Sequence, residues 1–236
     1  MNDNSPDISE VEMSNRTFLE DEIDNVLVLT RGHPFERDPF FEMIDSTGYA
    51  WSHIEHPAAQ KFITSDSLQN YKAIVFYDMP GINLDTAPPK ATFFEPNDEF
   101  KMSFINHLKK GIGCVFIHHA IAGWPAWEEY GNIIGGRFLY QEGIVKGIKK
   151  PDSGYRHDIK YKVIKDGKHP ITEGIEDFEI TDELYLAEFF EDDINPILRS
   201  NYDDSIVRTL QRDRRKAKIL LVNLCNGVFP VFNKVL

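Results

Sequence analysis

An α/β fold built on a mainly parallel sheet, with extra antiparallel strands, is predicted by three features of the sequence. Short apolar runs rich in β-branched residues alternate with segments of helical spacing as far as Ile134. Glycine and proline clusters punctuate the runs. Beyond about Arg137 the pattern changes to short alternating segments, the mark of antiparallel strands.

Taken in order, Asn25–Thr30 (NVLVLT) is bounded by charge and by Arg31-Gly32-His33-Pro34, as expected of a strand buried on both faces and the loop after it. Pro39–Gly48 carries Phe40, Phe41, Ile44 and Thr47 at helical spacing before a glycine stop, and Trp51–Glu55 reads as a short second strand. Tyr71–Asp78 (YKAIVFYD) repeats the buried-strand pattern and ends at Met79-Pro80-Gly81. The residues from Ile82 to Pro96 have no period and read as a long surface loop. Asn97 is placed to cap a helix whose face is Phe100, Phe104, Ile105 and Leu108, closed by Lys109-Lys110-Gly111. Gly113–Ile117 is the next strand, running into His118-His119-Ala120, and Pro125–Ile134 is the helix that follows. Further on, His157–Ile164 and Phe178–Ile180 read as antiparallel strands, and Lys218–Leu224 as a strand that rejoins the sheet.

A chain of 236 residues with 42% hydrophobic content can bury one good core. Residues 1–22 read as a flexible acidic N-terminal tail and residues 23–236 as one domain. The net charge of -12 disfavours phosphate backbones and anionic lipid, so neither nucleic acid nor a membrane surface is an expected partner. Cys114 and Cys225 each lie in an apolar run and read as buried thiols of a reducing cytoplasm rather than a disulfide framework. No secretory leader is recognisable at the start, so the expected location is cytoplasmic. The apolar end is broken by Asn223, Asn226, Gly227 and Pro230, short of the roughly 20 residues of a membrane span. An aromatic content of 12% and several loops permit a homodimer without specifying one.

In open parallel sheets, ligands bind beyond the carboxyl ends of the strands. That rule selects Arg31 and His33 after the first strand, Asp78 after the third, and His118 and His119 after the fourth, with Trp124, Trp127 and Glu128 beyond. Adjacent histidines at a strand end point in roughly opposite directions, so His119 is expected to face the crevice while His118 braces the loop. His33 with His119 can bind a divalent metal or transfer protons. Asp78 reads equally well as a turn residue before Pro80. Trp124, Trp127 and Tyr130 share helical spacing that usually means packing, with Trp124 the best placed to offer an indole platform to a sugar. Gly135-Gly136-Arg137-Phe138 matches no phosphate cradle and suggests close backbone packing. Thr181-Asp182-Glu183-Leu184-Tyr185 reads either as a capped helix or turn start or as a source of a general base or metal ligand in Asp182 or Glu183.

Taken together, FIHHA at Phe116–Ala120, GWPAWEEYGNIIGGRF at Gly123–Phe138, HPITEGIEDFEITDELY at His169–Tyr185 and the early strand followed by Gly-His resemble the ThuA-like family, named for trehalose utilisation. The resemblance covers about Asn25 to Leu224. It implies a flavodoxin-like, three-layer α/β sandwich similar to class I glutamine amidotransferases, and a place in disaccharide or glycoside metabolism. A sugar is the implied small-molecule partner. The implied pocket is built around His33, His119 and Asp182 or Glu183. Amidotransferases carry a cysteine in the turn where this chain has His118-His119; Cys114 lies within the strand, so cysteine-dependent amide hydrolysis is not expected. Relatives usually end with a strand followed by Gly-His, whereas this chain has no histidine after His169, so a truncated or frame-altered C-terminus and a site lacking that residue are expected.

Two classes of function follow. A sugar-processing enzyme, acting by acid-base or metal-assisted chemistry on a sugar or keto-sugar, requires converging imidazoles and carboxylates. A non-catalytic sugar-binding or interaction module with a degenerate site requires only the crevice and its aromatic residues. A flavin or nucleotide binder ranks last, because Arg31-Gly32-His33-Pro34 stands where a phosphate loop would be.

Overall fold

The computed structural model describes residues 12–13, 25–83 and 91–202. The chain divides into two compact units, one ending at Trp127 and one beginning at Glu128. The strand expected at 218–224 and Cys225 lie outside the described residues.

The first unit contains, in order, β1 (Glu12–Met13), β2 (Asn25–Arg31), α1 (Arg37–Ser46), β3 (Ala50–Glu55), α2 (Ala58–Ile63), β4 (Ala73–Asp78), β5 (Ile82–Asn83), β6 (Thr92–Phe93), α3 (Asp98–Lys109) and β7 (Gly113–Phe116). Among the described residues its main sheet has the order β1-β3-β2-β4-β7. β3, β2, β4 and β7 are parallel. β1, within the segment read as a tail, joins the edge antiparallel, Glu12 opposite His53. β5 and β6 pair as a small hairpin inside the stretch read as a loop.

The unalternating run Val26–Leu29 is buried on both faces because helices cover both sides of the sheet. Successive strand residues point to opposite faces. On β4, Phe76 meets Phe104 of α3 at 5.6 Å, while its neighbour Tyr77 stacks on Phe40 of α1 at 4.3 Å. The two helices therefore lie on opposite faces. Leu27, Leu29, Ile44, Ile74 and Phe104 are almost wholly removed from water, each burial favourable by about 1.5–3 kcal/mol. α3 starts where its cap was read: the Asn97 side chain accepts the Phe100 backbone N–H at 2.8 Å. α2 was not anticipated; its two alanines and short length leave no amphipathic period to read.

The second unit contains α4 (Glu128–Ile134), β8 (Gly136–Arg137), β9 (Gly143–Val145), β10 (Ile148–Lys150), β11 (Tyr155–Lys165), β12 (Phe178–Tyr185), β13 (Glu188–Phe189) and β14 (Leu198–Ser200). Every pairing described here is antiparallel. β9 and β10 turn through Lys146 and Gly147, both at positive φ (49° and 77°), as a two-residue hairpin of matching twist requires. β11 and β12 bury Tyr161, Ile180 and Leu184 with Ile175. The packing read for the double glycine holds: a Cβ on Gly135 would lie 2.2 Å from Ile194 Cγ2.

Among the described residues, no helix is long and apolar enough to cross a membrane.

Candidate functional site

In the first unit, β2 lies between β3 and β4, so the chain moves outward first on one side of β2 and then on the other. Such a switch point opens a crevice at the carboxyl ends of the two central strands. Arg31 and Asp78 are register partners at this edge. Arg31 has φ 116°, His118 φ 51° and Trp124 φ 44°, three non-glycine residues in the left-handed region within one unit. Each such conformation costs of order 1–3 kcal/mol, and functional edges are where folds retain it. Gly32, φ 92°, cannot be replaced without collision, because a Cβ would stand 2.3 Å from the Met79 carbonyl oxygen.

Three histidines predicted from sequence come together here. The His33 and His119 rings stack with centroids 4.7 Å apart and planes 25° apart. His118 stands edge-on to His119 at 5.2 Å and to His33 at 6.3 Å. Tyr77 covers His119 at 4.4 Å. His119 has no exposed surface, and neither of its ring nitrogens finds a partner of good hydrogen-bond geometry. Burial first, then repulsion from His118 and His33, lowers its pKa to about 2, against a weaker pull upward from the Tyr77 backbone. It is therefore neutral at any physiological pH.

His33 is partly exposed. Its Nδ1 lies 2.7 Å from the Pro34 carbonyl oxygen, which can only accept, so Nδ1 carries the proton and Nε2 is left as the basic nitrogen. The 3-10 turn at His118–Ala122 buries His118 as well, 3% exposed.

A fourth histidine was missed. His56, after β3, binds Asp78 through Nε2 to Oδ2 at 2.7 Å, with both side chains buried. His56 Nδ1 and Asp78 Oδ1 have no partner. The strand-end rule that selected Asp78 applies equally to His56, which directly follows the strand read at Trp51–Glu55 and seen as β3 (Ala50–Glu55). Trp124 is 3% exposed, its indole packed among His56 (5.7 Å), Phe94 (6.0 Å) and Phe100 (5.8 Å).

Asp182 and Glu183 belong to the second unit. They lie inside β12, not at a helix or turn start, because pairing with β11 overrides the local capping signal. Alternation puts Asp182 on the buried face with Ile180 and Leu184, and its Oδ1 accepts the Glu183 backbone N–H at 2.8 Å. Glu183 lies 3.3 Å from His157 Nδ1. Opposite this pair β11 bulges between Arg156 and Ile159, with Asp158 at φ 54°.

Among the described residues, no group of three or more His, Cys, Asp or Glu is arranged to hold a metal ion.

The model of a family described as trehalose utilisation, ThuA, matches residues 25–216. A ThuA-like protein from Parabacteroides merdae has a similar structure: TM-score 0.57 at 13% identity, over 78% of this chain and 70% of that one. A ThuA-like protein from Bacteroides uniformis gives TM-score 0.50 at 14% identity, over 81% and 73%. Among curated proteins no match was found. The family match spans most of the sequence and begins with β2, so this chain belongs to the ThuA family, linked to trehalose utilisation.

Proposed function

We propose that this ThuA family protein performs acid-base chemistry on a sugar or keto-sugar, with His33 exchanging the proton and His119 as the neutral ring behind it. The supporting observation is the stack of a partly exposed imidazole on a fully buried one. A permanently neutral His119 lets His33 gain a proton without a second cation in contact with it. The Pro34 carbonyl fixes the tautomer, so Nε2 takes the proton of a hydroxyl, or of a carbon beside a carbonyl, and returns it in the reverse step. For Asp182 or Glu183 the proposed role is that of general base or metal ligand; Asp182→Asn and Glu183→Gln test it, and turnover unchanged in both would refute it.

We read the fold as flavodoxin-like, the three-layer arrangement of class I glutamine amidotransferases. The strand order and the helices on both sheet faces support this. The turn that holds a cysteine in amidotransferases here begins with His118, and burial pushes the Cys114 thiol up to about 12, which leaves no thiolate nucleophile there.

The test is turnover of trehalose and its keto forms, followed by mass spectrometry, for the wild type and His33→Gln. A positioned acid-base group contributes about 10²–10⁴-fold, so the variant should lose at least about 100-fold while keeping its thermal stability. Equal turnover in both, or ligand binding without any turnover, would refute the catalytic reading.

A further inference from the structure

We infer that Arg31 is the anion-recognising arm of this crevice, so that the ligand it takes carries a carboxylate, as an oxidised sugar acid does. The inference rests on the sugar reading above and adds the ligand's charge. Among the described residues several cations are paired with a carboxylate, including Arg37 with Glu55, Lys146 with Asp193, Lys150 with Glu188, Lys160 with Glu179 and Arg199 with Asp166. Among the described residues Arg31 has no such partner, although it is exposed at the carboxyl end of the central strand. The nearest acid by register, Asp78, is buried and committed to His56. An arginine left unpaired in a chain of net charge -12 is poised for an incoming anion.

The arm is also built rather than loose. Arg31 Nη1 donates to the His56 carbonyl at 2.8 Å, and His56 is itself fixed through its ring by Asp78. The Arg31 carbonyl accepts the Met79 N–H at 2.7 Å, which locks a residue whose φ of 116° is costly for any side chain. The rest of the guanidinium fork stays available, and a carboxylate is the planar acceptor that matches it. The tether draws Arg31 toward the end of β3, while the His33 stack draws the next side chain toward β7. A ligand lying across the switch point would meet the cation on one side and the imidazole on the other.

The experiment is calorimetric titration of the full chain at pH 7.5 with D-glucuronate and D-gluconate against D-glucose and trehalose, for the wild type, Arg31→Ala and Arg31→Lys. The wild type should bind the acids at least about tenfold more tightly than the neutral sugars, and added salt should weaken that preference. Arg31→Ala should bring acids and neutral sugars within about twofold, and Arg31→Lys should retain part of the preference because it keeps the charge but not the fork. Absence of any preference for the acids in the wild type, or its survival in Arg31→Ala, overturns the inference. Neutral sugars bound by all three proteins, with no preference for the acids in any of them, would leave the sugar reading standing without it. Acid preference without turnover dependent on His33 would do the reverse.

Discussion

Replacing His119 by phenylalanine removes an imidazole that the fold keeps neutral and fully buried. In the unfolded chain this ring titrates at its ordinary 6.5; in the folded chain at about 2. Between those values the unfolded state binds a proton that the folded state does not, so stability falls as pH drops below 6.5, with a slope approaching about 1.4 kcal/mol per pH unit. From pH 7.5 to 5.0, His119 alone removes about 2 kcal/mol, or about 4–8 °C of melting temperature for a chain of this size. Urea unfolding of the wild type and His119→Phe at both pH values isolates this contribution, since the other titrating groups are common to both proteins. The variant should lose about 2 kcal/mol less on acidification. At pH 7.5 it should be at least as stable as the wild type, because a buried imidazole whose nitrogens find no partner of good hydrogen-bond geometry, a cost of about 1–3 kcal/mol, is gone. Equal losses on acidification in the two proteins would refute the burial argument.

Two further outcomes are expected. Gly32→Ala drives a methyl group to 2.3 Å from the Met79 carbonyl at a φ of 92°, so it should destabilise by about 2–4 kcal/mol in urea and weaken ligand binding at the same edge. Cys114, half-buried with its thiol pushed up to about 12, should resist iodoacetamide at pH 8 in the native protein under conditions that fully label it after denaturation, as peptide mass spectrometry would read; rapid native labelling would contradict the raised thiol pKa.

The parallel strands were legible because a strand covered on both faces needs an unbroken apolar run, and NVLVLT and YKAIVFYD supply one. The Asn97 cap was legible because its hydrogen bond is local. What the residues hid were relations set by register. His56 and Asp78 are 22 residues apart, and nothing near either one announces the other. The segment around Asp182 was read either as a capped helix or turn start or as a source of a general base or metal ligand; the pairing of β12 with β11 makes it a strand and turns Asp182 to the buried face. The His33–His119 stack lies between, since the strand-end rule named both rings without showing that they touch.

The central claim is that His33 moves a proton at the carboxyl edge of the sheet, and hydrogen–deuterium exchange into a keto-disaccharide tests it most directly. The protein is incubated with the keto-sugar in D₂O, and proton NMR follows the signal beside the carbonyl. The account expects exchange catalysed by the wild type, slowed at least about 100-fold by His33→Gln and little changed by Cys114→Ala. Exchange at the uncatalysed rate with the wild type, or at the wild-type rate with His33→Gln, would contradict it.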